Sequence, residues 1–319
     1  WNEMLENINV ALLKGTSADR KGNISFEDMY LSGDAFSVCQ AVKANGGKVI
    51  VQVDRLIRVP SRPRTTIIPG CLVDAIVVVE PQPRHAAYEA LSGNFEIPYS
   101  QWKDWNEMLE NINSSRQLSN VAGRIISKRA EKELKPDDIV NIGIGIPELV
   151  TRYARKSGIL DQVTLTVESG GIGGFPASGT VFGAVIGANC VVDMANLFDL
   201  YDDGGLDICF MGALEIDKHG NVNAHRGPGS FAGIGGFANI TSRTKTVVFC
   251  LTFNTKGLEV KRENDRIDIV KNGSIPKIVE QVRSKSFSAE RALHNGQRVL
   301  YVTERCVFQL TQRGLKLIE

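Results

Sequence analysis

Three features predict an α/β protein built as two related, open, mostly parallel-sheet halves. Short apolar strands alternate with helical stretches, glycine-rich turns begin where strands end, and a strand–turn–strand pattern recurs at a fixed spacing. The repeat is diverged but keeps its register. Val10–Leu13 leads to Asp19-Arg20-Lys21-Gly22-Asn23, and Ile208–Met211 leads to Asp217-Lys218-His219-Gly220-Asn221, an offset of 198 (217 − 19). The run Val49–Val53 falls on Val247–Leu251 at the same offset (247 − 49).

From the amino end, WNEMLENIN at Trp1–Asn9 recurs letter for letter at Trp105–Asn113. Perfect identity without flanking similarity is unlike a diverged structural repeat, so the nonamer carries no functional weight. After the strand at Val10 comes the D-x-x-G-N turn, in which an Asp side chain bonds the backbone ahead and glycine supplies the left-handed residue. A helix over Phe36–Asn45, the strand Val49–Val53 and a short buried strand over Leu72–Val79 complete this part. Residues 1–104 are read as the remainder of a first half, 105–115 as a linker within the polar stretch Pro98–Ser115, and 116–319 as the second half. Segment 114–207 has no counterpart ahead of residue 10, so the first half is expected to be truncated if the halves are alike.

The second half opens with a helix over Arg116–Leu134, its apolar residues Leu118, Val121, Ile125 and Ile126 at helical spacing and Pro136 as its stop. A strand over Ile139–Ile144 runs into Gly143-x-Gly145-x-Pro147, where Pro147 suits a helix start and Glu148 favours its first turn. Further strands are expected at Val163–Val167, Val191-Val192, Leu206–Leu214 and Thr246–Leu251, with a helix over Lys277–Arg283.

Composition narrows the function. Net charge is +1, which gives no electrostatic footprint for nucleic acid or a membrane surface, and no apolar run approaches the roughly 18 residues of a membrane helix. The six cysteines are scattered without a C-x-x-C pair, as reduced, buried thiols of a cytoplasm-like compartment are. The four histidines lack ligand spacing, so no metal site is expected.

The most informative stretch is Thr164–Pro176. An alternating β-branched run ends at Glu168, and a turn with four glycines in five positions follows (Gly170, Gly171, Gly173, Gly174). That places a carboxylate at the carboxyl end of a strand, where open α/β sheets bind ligands. The Gly143/Gly145 turn can offer backbone amides to an anion, but it lacks the third glycine of a dinucleotide fingerprint, and no G-x-x-x-x-G-K-[ST] is present. A third cluster, Gly227–Phe237, can aim amides at an oxyanion. One carboxylate, several glycine loops and no nearby Ser–His pair suggest a carboxylate nucleophile served by backbone amides.

The ordered set VNIGIGIPE (Val140–Glu148), TVESGGIGGFPASG (Thr166–Gly179), YDDGGLDICFMG (Tyr201–Gly212) and GIGGFANIT (Gly233–Thr241) resembles the family I coenzyme A transferases. Within that family it looks like the single-chain acetate or propionate enzymes. The resemblance implies that Glu168 is the nucleophile, becoming a glutamyl–CoA thioester in a ping-pong transfer between a short-chain acyl-CoA and a carboxylate. It implies oxyanion amides at Gly235 and Gly236, CoA contacts at Gly143, Gly145 and Lys245, and CoA as substrate with no prosthetic group. A homo-oligomer acting on acyl-CoA and small carboxylates follows from the same resemblance. Two alternatives stay open: an acyl-CoA hydrolase on this scaffold, and a non-catalytic, truncated CoA-binding or assembly fragment.

Overall fold

The computed structural model describes residues 8–29, 31–79, 120–176, 183–227, 229–264 and 266–319. The 105–115 linker and most of both nonamers lie outside these residues. The described residues form two compact units. One comprises 8–79 with the later segment 169–197; the other comprises 120–168 and 198–319. The chain leaves the second unit after Glu168 and returns to it at Phe198.

The first unit holds β1 (Val10–Lys14), β2 (Ser17–Ala18), β3 (Ile24–Ser25), α1 (Ala35–Ala44), β4 (Lys48–Val53) and β5 (Ala75–Val78). The order β1-β4-β5 is fully parallel. Alternation decides the faces. Ala11, Val49, Val51 and Val53 pack into a core with Cys39 and Val42 of α1, whereas Val10 and Leu12 point the other way and are exposed. The expected buried strand over Leu72–Val79 is corrected here. Gly70–Leu72 is a turn of 3₁₀ helix, and β5 is a mostly exposed edge strand whose outer face no described residue covers.

The second unit contains α2 (Val121–Glu131), β6 (Ile139–Ile142), α3 (Glu148–Ser157), β7 (Thr164–Val167), the end of α4 (Met194–Asp202), β8 (Ile208–Gly212), β9 (Glu215–Asp217), β10 (Val222–Asn223), α5 (Phe237–Ser242) and β11 (Thr246–Cys250). It continues with β12 (Glu259–Glu263), β13 (Arg266–Lys271), β14 (Ile278–Val279), α6 (Ala289–His294), β15 (Arg298–Val302), β16 (Val307–Thr311) and β17 (Gly314–Leu317). Its main strands lie in the order β7-β6-β8-β11-β15-β16-β17. They are parallel as far as β15, after which β16 and β17 add antiparallel edges. In chain order the parallel strands read 2-1-3-4-5, so the direction of winding reverses between β6 and β8. At such a switch point the loops leave on opposite faces and open a crevice at the carboxyl ends.

The repeat is present in backbone pairing. β1 pairs β4 from Val10–Lys48 to Lys14–Gln52, and β8 pairs β11 from Ile208–Thr246 to Gly212–Cys250. Every partner is displaced by 198 (208 − 10; 246 − 48). The turns match as well. Asp19 Oδ1 accepts the Lys21 and Asn23 amides at 2.8 and 3.1 Å, and Asp217 Oδ1 accepts those of His219 and Asn221 at 3.0 and 2.9 Å. Gly22 and Gly220 take φ of 79° and 89°, which glycine adopts at least cost.

Two further expectations need correction. Lys277–Arg283 is not a helix: Ile278 and Val279 form β14, paired with Ile216 and Asp217 of β9, so tertiary pairing of β-branched residues overrides the helical spacing. Of the cysteines, all free, Cys39, Cys209 and Cys250 are buried, but Cys71 and Cys190 are exposed. Among the described residues no helix is long and apolar enough to cross a membrane.

Candidate active site

Glu168 follows the last residue of β7, so the buried strand Leu165-Thr166-Val167 delivers its carboxylate to the carboxyl edge of the sheet. That strand is pinned from beneath. The fully buried Tyr201 of α4 donates its hydroxyl to Thr166 Oγ1 at 2.9 Å, Thr166 donates to the Val140 carbonyl at 3.0 Å, and Asn141 donates to the Tyr201 oxygen at 3.3 Å. Buried polar groups satisfied in this way hold one geometry.

The carboxylate itself has no hydrogen-bond or ion-pair partner among the described residues, and it is half-buried. Burial alone pushes its pKa above the usual carboxylate range. The group is poorly solvated and lacks a compensating charge, a combination that raises the reactivity of an oxygen nucleophile.

Gly236 lies directly against it. A Cβ at this position would overlap Glu168 Oε2 and approach Phe198 Cζ to 2.9 Å, so only glycine leaves room for the carboxylate. Gly235 takes φ of 53° with open space beside it, and neither the Gly235 nor the Gly236 amide has a partner among the described residues. The structure thus brings Glu168, Gly236 and Phe198 together, with Gly235 adjacent.

The Gly143–Gly145 turn reaches the carboxyl end of β6, beside the switch point, as expected from the sequence. Its amides are already committed, which corrects their reading as an open anion cradle. Gly143 donates to the Phe210 carbonyl at 2.8 Å, and Gly145 donates to Glu148 Oε1 at 2.6 Å. Glu148 therefore closes its own helix start, the structural role expected of it. Close packing explains Gly143, since a Cβ there would meet the Phe210 carbonyl at 3.1 Å.

Lys245 lies elsewhere. It immediately precedes β11, at the amino edge of the parallel sheet, and pairs with Asp207 Oδ1 at 2.7 Å. A five-residue strand separates the two edges by about 15 Å. Lys245 therefore does not join Glu168.

Phe198 and Tyr201 were not legible as site residues. They stand three apart on α4, and only the fold turns that spacing toward Glu168. A buried amine was missed as well: Lys277 Nζ donates to the Ala213 carbonyl, just beyond β8, at 2.8 Å. Desolvation lowers its pKa to about 8 against the opposing pull of Glu304.

Comparison with known proteins gives a consistent set of matches. The coenzyme A transferase family model matches residues 124–273. The chain is 38% identical to caffeate CoA-transferase of Acetobacterium woodii over 98% of this chain and 59% of that protein. It is 30% identical to a "probable coenzyme A transferase subunit beta" of Bacillus subtilis (strain 168), over 60% of this chain and 93% of the subunit. Among solved structures, an acyl-CoA transferase from Escherichia coli O157:H7 (YdiF), described as a thioester complex with CoA, superimposes with a TM-score of 0.83 at 31% identity. That alignment covers 97% of this chain and 56% of that one, so the chain spans somewhat more than half the length of the caffeate and YdiF relatives.

Proposed function

The chain belongs to the coenzyme A transferase family, and from that premise we propose that it moves CoA between a short-chain acyl-CoA and a carboxylate acceptor through a thioester on Glu168. The observation that carries this reading is the half-buried Glu168 carboxylate, without a partner among the described residues and seated against Gly236 at the carboxyl edge of the sheet.

In the first step a Glu168 oxygen attacks the thioester carbonyl, forming an acyl–glutamyl anhydride as the C–S bond breaks and CoA leaves as thiolate. The thiolate then attacks the glutamyl carbonyl, releasing the carboxylate and leaving Glu168–CoA. An acceptor carboxylate attacks that thioester, and the steps run in reverse to give the new acyl-CoA and a free Glu168. Thioester energy is kept throughout, so no nucleotide is consumed. Each tetrahedral intermediate carries an oxyanion. The Gly235 and Gly236 amides, neither with a partner among the described residues, are the donors assigned to it, Gly236 lying against the Glu168 carboxylate.

The acyl group is proposed to be of acetate or propionate type. Relatives named for caffeate and for acetate bracket a wide range, and the acetate-type end of it is the one proposed for this chain. Gly143 and Gly145 are assigned to the floor beside the switch point, as backbone packing surface instead of amide donors. A homo-oligomer in a cytoplasmic setting completes the proposal.

The test is chemical. Incubation with acetyl-CoA should add the mass of CoA to a peptide containing Glu168, hydroxylamine should remove it, and Glu168→Gln should show neither adduct nor exchange. An unmodified Glu168 peptide under single-turnover conditions, or exchange surviving in Glu168→Gln, would sink the covalent mechanism.

A further inference from the structure

Phe198 takes no part in the acyl chemistry, yet its ring edge stands beside the nucleophile. The Glu168 Oε2 atom and Phe198 Cζ both lie within 2.9 Å of the point that a Gly236 Cβ would occupy. The ring is held. It meets Tyr201 edge-on, with centroids 5.9 Å apart and planes at 81°, and Tyr201 is itself fully buried and bonded to Thr166 and Asn141. Phe198 is only half-buried, so part of its surface remains available to another molecule. The surroundings of Gly235 are open by contrast, with nothing near its Cβ position among the described residues. The carboxylate is thus walled beside Gly236 by a held aromatic edge, while the space at the Gly235 Cβ position is open among the described residues.

From this asymmetry we infer that Phe198 is a specificity-determining residue, the wall that limits the length and width of the acyl chain, while the bulky CoA arm approaches on the Gly235 side. The inference rests on the reading of Glu168 as nucleophile. An acyl carbon within bonding distance of Glu168 places its second and third chain carbons in the space the ring bounds. Acetyl and propionyl groups stop short of the wall; a six-carbon or aromatic acyl group runs into it. Single carbon units in such pockets change selectivity by roughly 10–200-fold.

The experiment measures the rate of CoA-adduct formation on Glu168 by intact mass, in single turnover, from acetyl-CoA, hexanoyl-CoA and an aromatic acyl-CoA. Wild type, Phe198→Ala and Phe198→Leu are compared, with melting temperatures confirming that each is folded; the leucine variant keeps most of the volume. The hexanoyl-to-acetyl rate ratio should rise at least about tenfold in Phe198→Ala, with a smaller rise in Phe198→Leu. A ratio within twofold of wild type in both variants, with adduct still forming, overturns the assignment. Uniform slowing with every donor does the same, since it places the ring against the shared CoA arm or in Tyr201 packing. A wild-type protein that takes hexanoyl-CoA as fast as acetyl-CoA also refutes the wall. Absence of any adduct in wild type is a different result: it removes the Glu168 reading, and this inference falls with it.

Discussion

A carboxylate kept partly out of water with no donor to meet it destabilises the folded chain whenever it is charged. For Glu168 the sign is fixed by the direction of its shift. Its folded pKa is raised, so the native state holds the proton more tightly than the unfolded chain does. Its contribution to stability is therefore complete below the ordinary carboxylate range and is lost as pH rises through the folded value. Glu168→Gln, which carries no charge at any pH, should melt higher than wild type at neutral pH, and the difference should close as pH falls below the ordinary carboxylate range. A variant that melts lower at neutral pH would mean that the carboxylate is paired in solution. Glu168 was legible because a β-branched run ending at an acid and a glycine turn is a local pattern. Phe198 was not, because its place beside Glu168 comes from the meeting of α4 with the loop before α5, which no spacing encodes.

At the level of elements, the paired D-x-x-G-N turns offer an internal control. Both glycines take left-handed φ, where an alanine costs roughly 1–2 kcal/mol. Their surroundings differ. A Cβ on Gly22 would meet nothing nearer than 3.6 Å, whereas on Gly220 it would press on Leu310 Cδ1 at 2.7 Å and the Tyr301 hydroxyl at 2.8 Å. Gly220→Ala should therefore destabilise the protein by at least about 1 kcal/mol more than Gly22→Ala in urea unfolding. Equal costs would show that the second turn relaxes without strain. The sheet gives a second prediction. Because Lys245 stands at the amino edge, paired with Asp207, Lys245→Ala should leave the KM for acyl-CoA within about twofold of wild type. A KM raised tenfold would give Lys245 a part in binding acyl-CoA. Local pattern was a good guide to the parallel strands β1, β4, β6, β7, β8 and β11 and to α1, α2 and α3, but it left out the parallel strand β15. It failed at Lys277–Arg283, where Ile278 and Val279 satisfy a helical spacing and a strand equally well and only the partner strand β9 decides.

For the whole molecule, the 198-residue repeat means that one backbone pattern is used twice with different cover. Leu12 and Phe210 occupy the same register position, opposite Ile50 and Val248 respectively. Phe210 is 0% exposed, while Leu12 is 75% exposed and Val10 beside it 49%. The sequence shows this relation only in part: both positions read as apolar strand residues, and whether a second layer covers them is a property of other segments of the chain. The energetic consequence is sharp. Phe210→Ala deletes a ring from a packed interior and should cost about 3–5 kcal/mol. Leu12→Ala removes a side chain already in water and should change stability by no more than about 0.5 kcal/mol. Both are read by equilibrium unfolding in urea, with constant m-values as the control for a two-state comparison. If Leu12→Ala instead costs about 2 kcal/mol or more, a value typical of buried leucine, then the outer face of β1 is covered in solution, and the two halves share their burial as well as their register.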